Sequence, residues 1–240
     1  SVLPESLHQK YLRPFFNGII ASNNAKKADF ERIAEIFGDE VNRLNDKFVY
    51  NGIVMTRENL LVMMLNTGTV HNVRTLATTM LHNADRWGLQ VKNKNRFTED
   101  EIQSAINLAR DICASAPDNF ADIVSDIWAL IDSKKEQMRA AYKHVTNNLM
   151  KFEQIEQLDG VNPKLKGGYY PIHRMYLTKT QDDLFSQNFR DTTAMSTVSS
   201  LKDRGDATAT DLSLTLDGLN QWVETTERYS NVAVPYYELA

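Results

Sequence analysis

Apolar residues recur along most of this chain every three or four positions, the spacing of α-helices that bury one face. One such stripe follows Thr98, which forms with Glu101 a capping box that predicts a helix start. The run after Thr56 is apolar nearly all round and predicts a helix buried on every side, and a further helix is expected from Val70 to His82. The pattern therefore predicts an all-α, multi-helix domain.

Helix boundaries are predicted from proline, glycine and asparagine. Pro14 is expected to bend or interrupt the first helix, and a second helix is predicted from about residue 25 to residue 44. The Asn51-Gly52 pair predicts a short β-like turn. Pro117 opens the longest predicted helix, one long central helix that extends to Phe152.

A Lys-Gly-Gly-Tyr-Tyr-Pro-Ile segment interrupts the helical pattern. Gly167 and Gly168 tolerate positive φ, while Pro171 fixes its own φ and favours an extended Tyr170. We predict a short non-helical crossing that docks on the long helix, with at least one tyrosine ring buried and its hydroxyl hydrogen-bonded. The alternative is that Tyr169 and Tyr170 are both exposed and stack on bases or on a partner's aromatic groups.

A polar stretch follows the crossing. Residues 178–209 contain few apolar side chains, which predicts a long polar arm that is less ordered than the rest of the chain. A final helix is predicted to start at Thr210-Asp211 and to end near residue 231. We expect one domain, in which residues 1–155 form a helical core and residues 156–240 add the crossing, the arm and the last helix.

Composition narrows the classes of function. The chain has 240 residues with only 10 Gly and 6 Pro, so long disordered linkers are not expected. A net charge of −4 gives no general reason to expect nucleic acid, although a basic patch around Lys134 and Arg139 leaves that alternative open. No apolar run approaches the roughly 20 residues that span a bilayer. Cys113 is the single cysteine and is expected to be a buried apolar side chain.

The sequence contains none of the familiar phosphate-binding, dinucleotide-binding, zinc-binding or nucleophile motifs, so no catalytic residue, cofactor or metal ligand is predicted. His173-Arg174 follows the crossing and could face a substrate, but such a pair more commonly caps backbone carbonyls or faces water. Asp126 and Asp132 flank Trp128 at a six-residue separation that does not share a helical face. That spacing favours a core tryptophan with acids beside it over a paired-carboxylate site.

Several short segments follow one another in an order that spans nearly the whole chain. They are Arg13-Pro14, Leu65-Asn66-Thr-Gly68 with Asn72 and Arg74, the helix from Val124 to Asp132, Gly167 to Ile172, and Asp211 to Leu214. In this order they resemble a helical domain of the very large multidomain proteins of bacteriophages and mobile elements, the large polyvalent protein-associated type. The chain differs from that pattern at Thr67, Thr69 and Val70, and again at His173-Arg174.

The resemblance implies a setting rather than an activity, since such giant proteins carry enzymes beside helical modules and can enter the host with the DNA. The expected function is a non-catalytic module for packing, assembly or delivery with the genome, located in a virion or in the host cytoplasm. Its expected partners are other domains of a longer parent chain, from which this chain, lacking an initiator Met, would be a piece, or virion proteins.

A second hypothesis is a fragment of a nucleic-acid-processing enzyme, or a nucleic-acid-binding module, with its site between the crossing and the polar arm. That site would use Tyr169, Tyr170, His173, Arg174, Asp203 and Arg204. Across both hypotheses the candidate structural or interaction residues are Asn66, Gly68, Asn72, Arg74, Trp128, Asp132, Gly167, Gly168, Tyr169, Tyr170, Pro171, His173 and Arg174.

Overall fold

The structure, a computed structural model, describes residue 9 and residues 12–93, 96–172 and 212–239. His173, Arg174 and the predicted polar arm lie outside the described residues. Most described residues are helical, which confirms the all-α class. In chain order the helices are α1 (Arg13–Phe37), α2 (Arg57–Leu65), α3 (Val70–His82), α4 (Ala84–Trp87), α5 (Glu99–Ala114), α6 (Asp118–Ser133), α7 (Lys135–Thr146) and α8 (Asp217–Leu239).

A β-hairpin precedes the central helix. Strands β1 (Lys47–Tyr50) and β2 (Ile53–Thr56) pair antiparallel. The turn between them has positive φ at Asn51 (45°) and Gly52 (85°), which matches the right-handed twist of a two-residue hairpin and confirms the predicted turn. Thr56 then caps α2, because its hydroxyl accepts from the Asn59 amide while the Asn59 side chain accepts from the Thr56 amide.

Helix α2 forms the centre of the hydrophobic core, as predicted. Each residue from Leu60 to Leu65 is at most 1% exposed, so no face of this stretch reaches solvent. Helices α5 and α6 both pack against α2. The buried residues of the crossing and of α8, including Tyr170 and Trp222, belong to the same hydrophobic cluster as those of α2.

The predicted second helix from about residue 25 is not a separate element, whereas the prediction that Pro14 bends or interrupts the first helix concerns residues that lie mostly outside the described part of the chain. Pro14 lies in the first turn of α1, where a backbone N–H has no partner within the helix and its absence costs nothing. Helix α1 therefore continues without a break to Phe37, and the predicted separate second helix is its C-terminal half. A 3₁₀ turn from Gly38 to Arg43 follows and completes the segment.

The single long central helix is also wrong. The residues assigned to it form two helices, α6 and α7, that meet at Lys134, and the longest helix among the described residues is instead α1 with 25 residues. Lys134 turns its ammonium towards the carboxylates of Asp29 in α1 and Glu227 in α8. These two long-range ion pairs hold the junction, and no local sequence signal of a helix stop was available there.

Helix α8 begins at Asp217 rather than at residue 210 or 211, and it continues past residue 231 to Leu239. The preceding segment, 212–216, is held in a non-helical conformation by side chains of other helices. The Leu212 amide donates to Thr79 Oγ1 over 2.8 Å, and the Leu216 amide donates to Glu58 Oε1 over 2.9 Å. These partners replace the bonds that a helix would have offered the same backbone groups.

Helices α1 and α8 pack antiparallel over most of their length. Pro235 lies inside α8 and has no N–H, so the carbonyl of Asn231 lacks its usual helical donor. Gly18 of α1 packs on that carbonyl, since a Cβ at Gly18 would lie only 2.5 Å from the oxygen. The two helices therefore approach closely where one has a glycine and the other a proline-disturbed turn. None of the helices in the described part of the chain has the length and apolar character needed to cross a membrane.

Candidate functional site

The crossing is locked against the end of α2 by direct backbone contact. A Cβ at Gly68 would lie 2.1 Å from the carbonyl oxygen of Gly168, and a Cβ at Gly168 would lie 2.2 Å from the Trp128 ring. Neither glycine has a positive φ, so both are needed for close approach. Of the three glycines at this contact, only Gly167 has a positive φ, of 86°. We call the contact between residues 65–69, Trp128 and residues 167–170 the interlock.

Hydrogen bonds from distant residues satisfy one carbonyl at the end of α2 and another in the loop that follows it. Gly68 O accepts from the amides of Glu156 (3.0 Å) and Gly168 (3.3 Å). Trp128 Nε1 donates to Leu65 O over 3.1 Å. Backbone amides about 90–100 positions away in sequence therefore bond the carbonyls of the loop after α2. In an exposed helix end, water would bond such carbonyls instead.

Two buried asparagines extend the interlock into α3. Asn72 Nδ2 donates to Asn66 Oδ1 (3.1 Å) and to the carbonyl of Tyr170 (2.8 Å), and both asparagines are fully buried. Asn66 Nδ2 donates in turn to Val62 O. Arg74, predicted beside them, forms an exposed bidentate pair with Glu99 that joins α3 to α5. The polar residues of this motif therefore serve the fold's own hydrogen bonds.

Both tyrosine rings of the crossing are buried, which confirms the predicted docking on the helix that carries Trp128. Tyr169 is 7% exposed and Tyr170 1%, so the alternative in which both rings stand free to stack on bases is wrong. The expected hydroxyl bond is absent for Tyr170, whose hydroxyl has no hydrogen-bond partner among the described residues. Burial away from water raises the pKa of this phenol far above its usual value.

A shallow groove of about 390 Å³, open to solvent, runs beside the interlock between α6 and the crossing. Its rim carries one acid and two lysines, Asp132, Lys135 and Lys166. Lys135 is already paired with Asp132 at 2.5 Å. Neither histidine nor cysteine occurs among the described residues that line it. Its other polar side chains are those of Ser125 and Tyr169.

Three basic side chains of the predicted patch contact other residues of the chain. Lys134 is buried in ion pairs, and the charged groups of Lys135 and Arg139 lie over the Phe152 ring at 5.6 and 4.8 Å from its centre. Arg139 also pairs with Glu136. Cys113 is buried as expected, and burial raises the pKa of its thiol, so it is not a reactive thiolate. In the described ranges no set of three or more His, Cys, Asp or Glu residues is placed to hold a metal ion.

Sequence reasoning missed two buried charge clusters. In the first, the Arg57 guanidinium forms a bidentate pair with Glu40, and Asn119 Nδ2 donates to the same carboxylate over 3.1 Å. The guanidinium also lies over the Phe120 ring. The hydrogen bonds from Arg57 hold the pKa of Glu40 below its usual value although burial opposes them.

In the second cluster, Lys134 Nζ lies 2.7 Å from Asp29 Oδ1 and 2.8 Å from Glu227 Oε1. Burial raises the pKa of the Asp29 carboxyl, and Lys134 only partly offsets it. Burial alone would lower the pKa of Lys134, but its two carboxylate partners raise it. The sequence held one signal that Glu227 is buried, because it follows Leu219 and Val223 at helical spacing on the apolar face of α8.

The structure brings most of the predicted residues together. Joined in or directly beside the interlock are Asn66, Gly68, Asn72, Trp128, Gly167, Gly168, Tyr169, Tyr170 and Pro171. Asp132 lies on the groove rim, Arg74 lies in its surface pair, and His173 and Arg174 fall outside the described residues. The chain matches no protein-family model, no curated protein and no solved structure.

Proposed function

We propose that this chain is a non-catalytic helical module of a large phage virion or mobile-element protein, and that it serves packing, assembly or delivery with the genome. One observation carries the non-catalytic part. The residues with the most distinctive sequence signals are buried in contacts with other parts of the fold. They include Gly68, Trp128, Gly168 and Tyr170. Buried residues that pack this closely on one another support a scaffold rather than a reaction centre, since their side chains do not face solvent or a cavity.

The setting rests on the resemblance of the ordered motifs to helical domains of giant phage and mobile-element proteins. The partners in this proposal are the neighbouring domains of a longer parent chain, or other virion proteins. The interlock would give such a chain a stiff unit whose surface keeps its shape while neighbouring domains carry out the chemistry.

Following the parent protein during infection or transfer tests this proposal. A small tag on the parent protein, expressed from the source phage or element, should arrive in the recipient cell together with the DNA. A tagged protein that stays in the donor cell and is absent from purified particles would contradict the delivery role. Replacing the module with a helical domain of similar length should impair assembly or transfer while leaving the separately assayed enzymatic domains active.

The second hypothesis, a nucleic-acid-processing fragment, would place its site around the crossing and the polar arm. Tyr169→Ala and Tyr170→Ala separate it from the scaffold role. The scaffold role predicts lower stability of both variants with no specific loss of single-stranded DNA binding, measured by fluorescence anisotropy under conditions where the variants are folded. Intact stability with lost DNA binding would favour the nucleic-acid hypothesis instead.

A further inference from the structure

A buried cluster with unbalanced charge joins α1 and α8, the two longest helices in the described part of the chain. Two carboxylates, Asp29 and Glu227, meet on the single ammonium of Lys134. The side chains of Asp29 and Glu227 are only 7% and 1% exposed, and that of Lys134 is 17% exposed. With every group ionised the cluster holds one negative charge in excess, and burial makes an uncompensated charge costly.

The hydrogen bonding of the cluster is also incomplete. Asp29 Oδ2 is buried and has no hydrogen-bond partner among the described residues. Glu227 Oε2 accepts from Asn231 Nδ2 over 3.0 Å, so α8 supplies one neutral donor of its own. A proton on Asp29 would remove the excess charge and would give this carboxyl a donor to share with Glu227. Two ionised carboxylates cannot make that bond.

Each part of the cluster lies on a different element. Asp29 lies on α1, Lys134 at the junction of α6 and α7, and Glu227 on α8. Helix α1 makes most of its contacts with α8, and α8 also packs on α7. Lys134 and Glu227 are the charged groups that act on the Asp29 carboxyl among the described residues. On α8 and α7, burial and the neighbouring Tyr142 raise the pKa of Tyr229 to about 12.

We propose that Asp29, Lys134 and Glu227 form a proton-operated clamp, in which uptake of one proton from water by the carboxyl pair tightens the packing of α1 on α8 and on the α6–α7 junction. Loss of that proton leaves the excess charge buried and loosens the contact. The clamp goes beyond the proposed scaffold function, because it makes the docking of α1 on α8 depend on pH.

The direction of the pH dependence follows from the burial of Asp29. Because burial raises the pKa of this carboxyl in the folded state, the folded protein holds the proton more tightly than the unfolded chain. The stabilisation from this group is complete at pH values below the ordinary Asp range. It is lost as the pH rises through the raised pKa, and this is opposite to the usual behaviour of a salt-bridged aspartate.

Asp29→Asn tests the clamp, because the amide has nearly the same shape as the protonated carboxyl. Thermal unfolding of the full 240-residue chain is followed by circular dichroism from about pH 4.5 to about pH 8.5. The midpoint of the variant should exceed that of the wild type by roughly 2–4 °C at the alkaline end, and the difference should vanish at the acidic end. Asp126→Asn, the same change at an exposed position of α6, should show a constant difference.

Parallel profiles of Asp29→Asn and the wild type would overturn the clamp. A second measurement needs no destabilising change: the carboxyl carbon of Asp29 is titrated by NMR in the folded wild type and in Glu227→Gln. The apparent pKa should lie above the ordinary Asp range in the wild type and should fall when Glu227 loses its charge. An ordinary Asp titration in the wild type, or an unchanged one in Glu227→Gln, would overturn the proposal even if every Asp29 variant failed to fold.

Discussion

Trp128 combines two stabilising roles in one side chain. Its ring packs against Gly168 and is buried, and its indole N–H donates a hydrogen bond to the carbonyl of Leu65 at the end of α2. A smaller side chain would leave a cavity at the interlock and an unpaired carbonyl at the same time. The predicted common core of Trp128, Ile131 and Leu65 is confirmed by their burial in one cluster.

Trp128→Ala should lower the free energy of unfolding by about 3–5 kcal/mol, because it removes a large buried ring. Trp128→Phe keeps most of the ring but loses the bond to Leu65, so it should cost less than the alanine variant. Urea denaturation measures both. Val54→Ala, at a residue that is 52% exposed, should stay within about 0.5 kcal/mol of the wild type. A near-wild-type Trp128→Ala would contradict the central place of this ring.

Gly68 is needed because another backbone approaches it closely, whereas Gly88 is needed because of its positive φ. Substitution by alanine distinguishes these two reasons. Gly68→Ala should cost about 3 kcal/mol or more, because the new Cβ would overlap the Gly168 backbone, which cannot rotate away. Gly88→Ala meets open space and should cost only about 1–2 kcal/mol, from its positive φ of 65°. Equal losses in chemical denaturation would show that the interlock can relax.

At the scale of elements, helix ends are fixed by side chains from elsewhere in the chain. The non-helical segment before α8 is tied to α2 and α3 by Asn59, Glu58 and Thr79. This tethering explains why α8 starts later than its apolar pattern predicted. Leu212 is buried by the same tether, so its amide depends on the hydroxyl of Thr79 for a partner.

Thr79→Val should cost about 1–3 kcal/mol, because the isosteric change leaves the buried Leu212 amide without an acceptor. Thr78→Val is the matched control, since both hydroxyls donate to the carbonyl four residues earlier but Thr78 is less buried. Amide exchange measured by NMR should show faster exchange at Leu212 in the first variant alone. Unchanged exchange at Leu212 would contradict the tether.

For the whole molecule, the two buried charge clusters give stability opposite dependences on pH. The pair of Glu40 and Arg57 lowers the pKa of Glu40, so its contribution is complete above the ordinary Glu range and is lost as the pH falls through the lowered value. The cluster of Asp29, Lys134 and Glu227 has the reverse sign. The most stable pH of the chain therefore depends on both clusters together.

Glu40→Gln should lower the free energy of unfolding by roughly 3 kcal/mol at neutral pH, because it leaves the Arg57 charge without its counterion. The deficit should shrink as the pH falls below the ordinary Glu range, where the wild-type carboxylate is also lost. Glu31→Gln, at an exposed position of α1, is the control. A deficit that stays constant with pH, measured by urea denaturation at several pH values, would contradict the role of the Glu40 charge.

The sequence by itself determined the features that depend on near neighbours. Helical periodicity, the caps at Thr56 and Thr98, the Asn51-Gly52 turn and the non-helical crossing each follow from residues within a few positions of one another. Only the tertiary structure decided that Gly68 meets Gly168, that Lys134 divides the expected long helix, and that Asp29 is buried beside Glu227. These contacts join residues far apart in the chain, and their energies come from burial and charge pairing that exist only after the helices have packed.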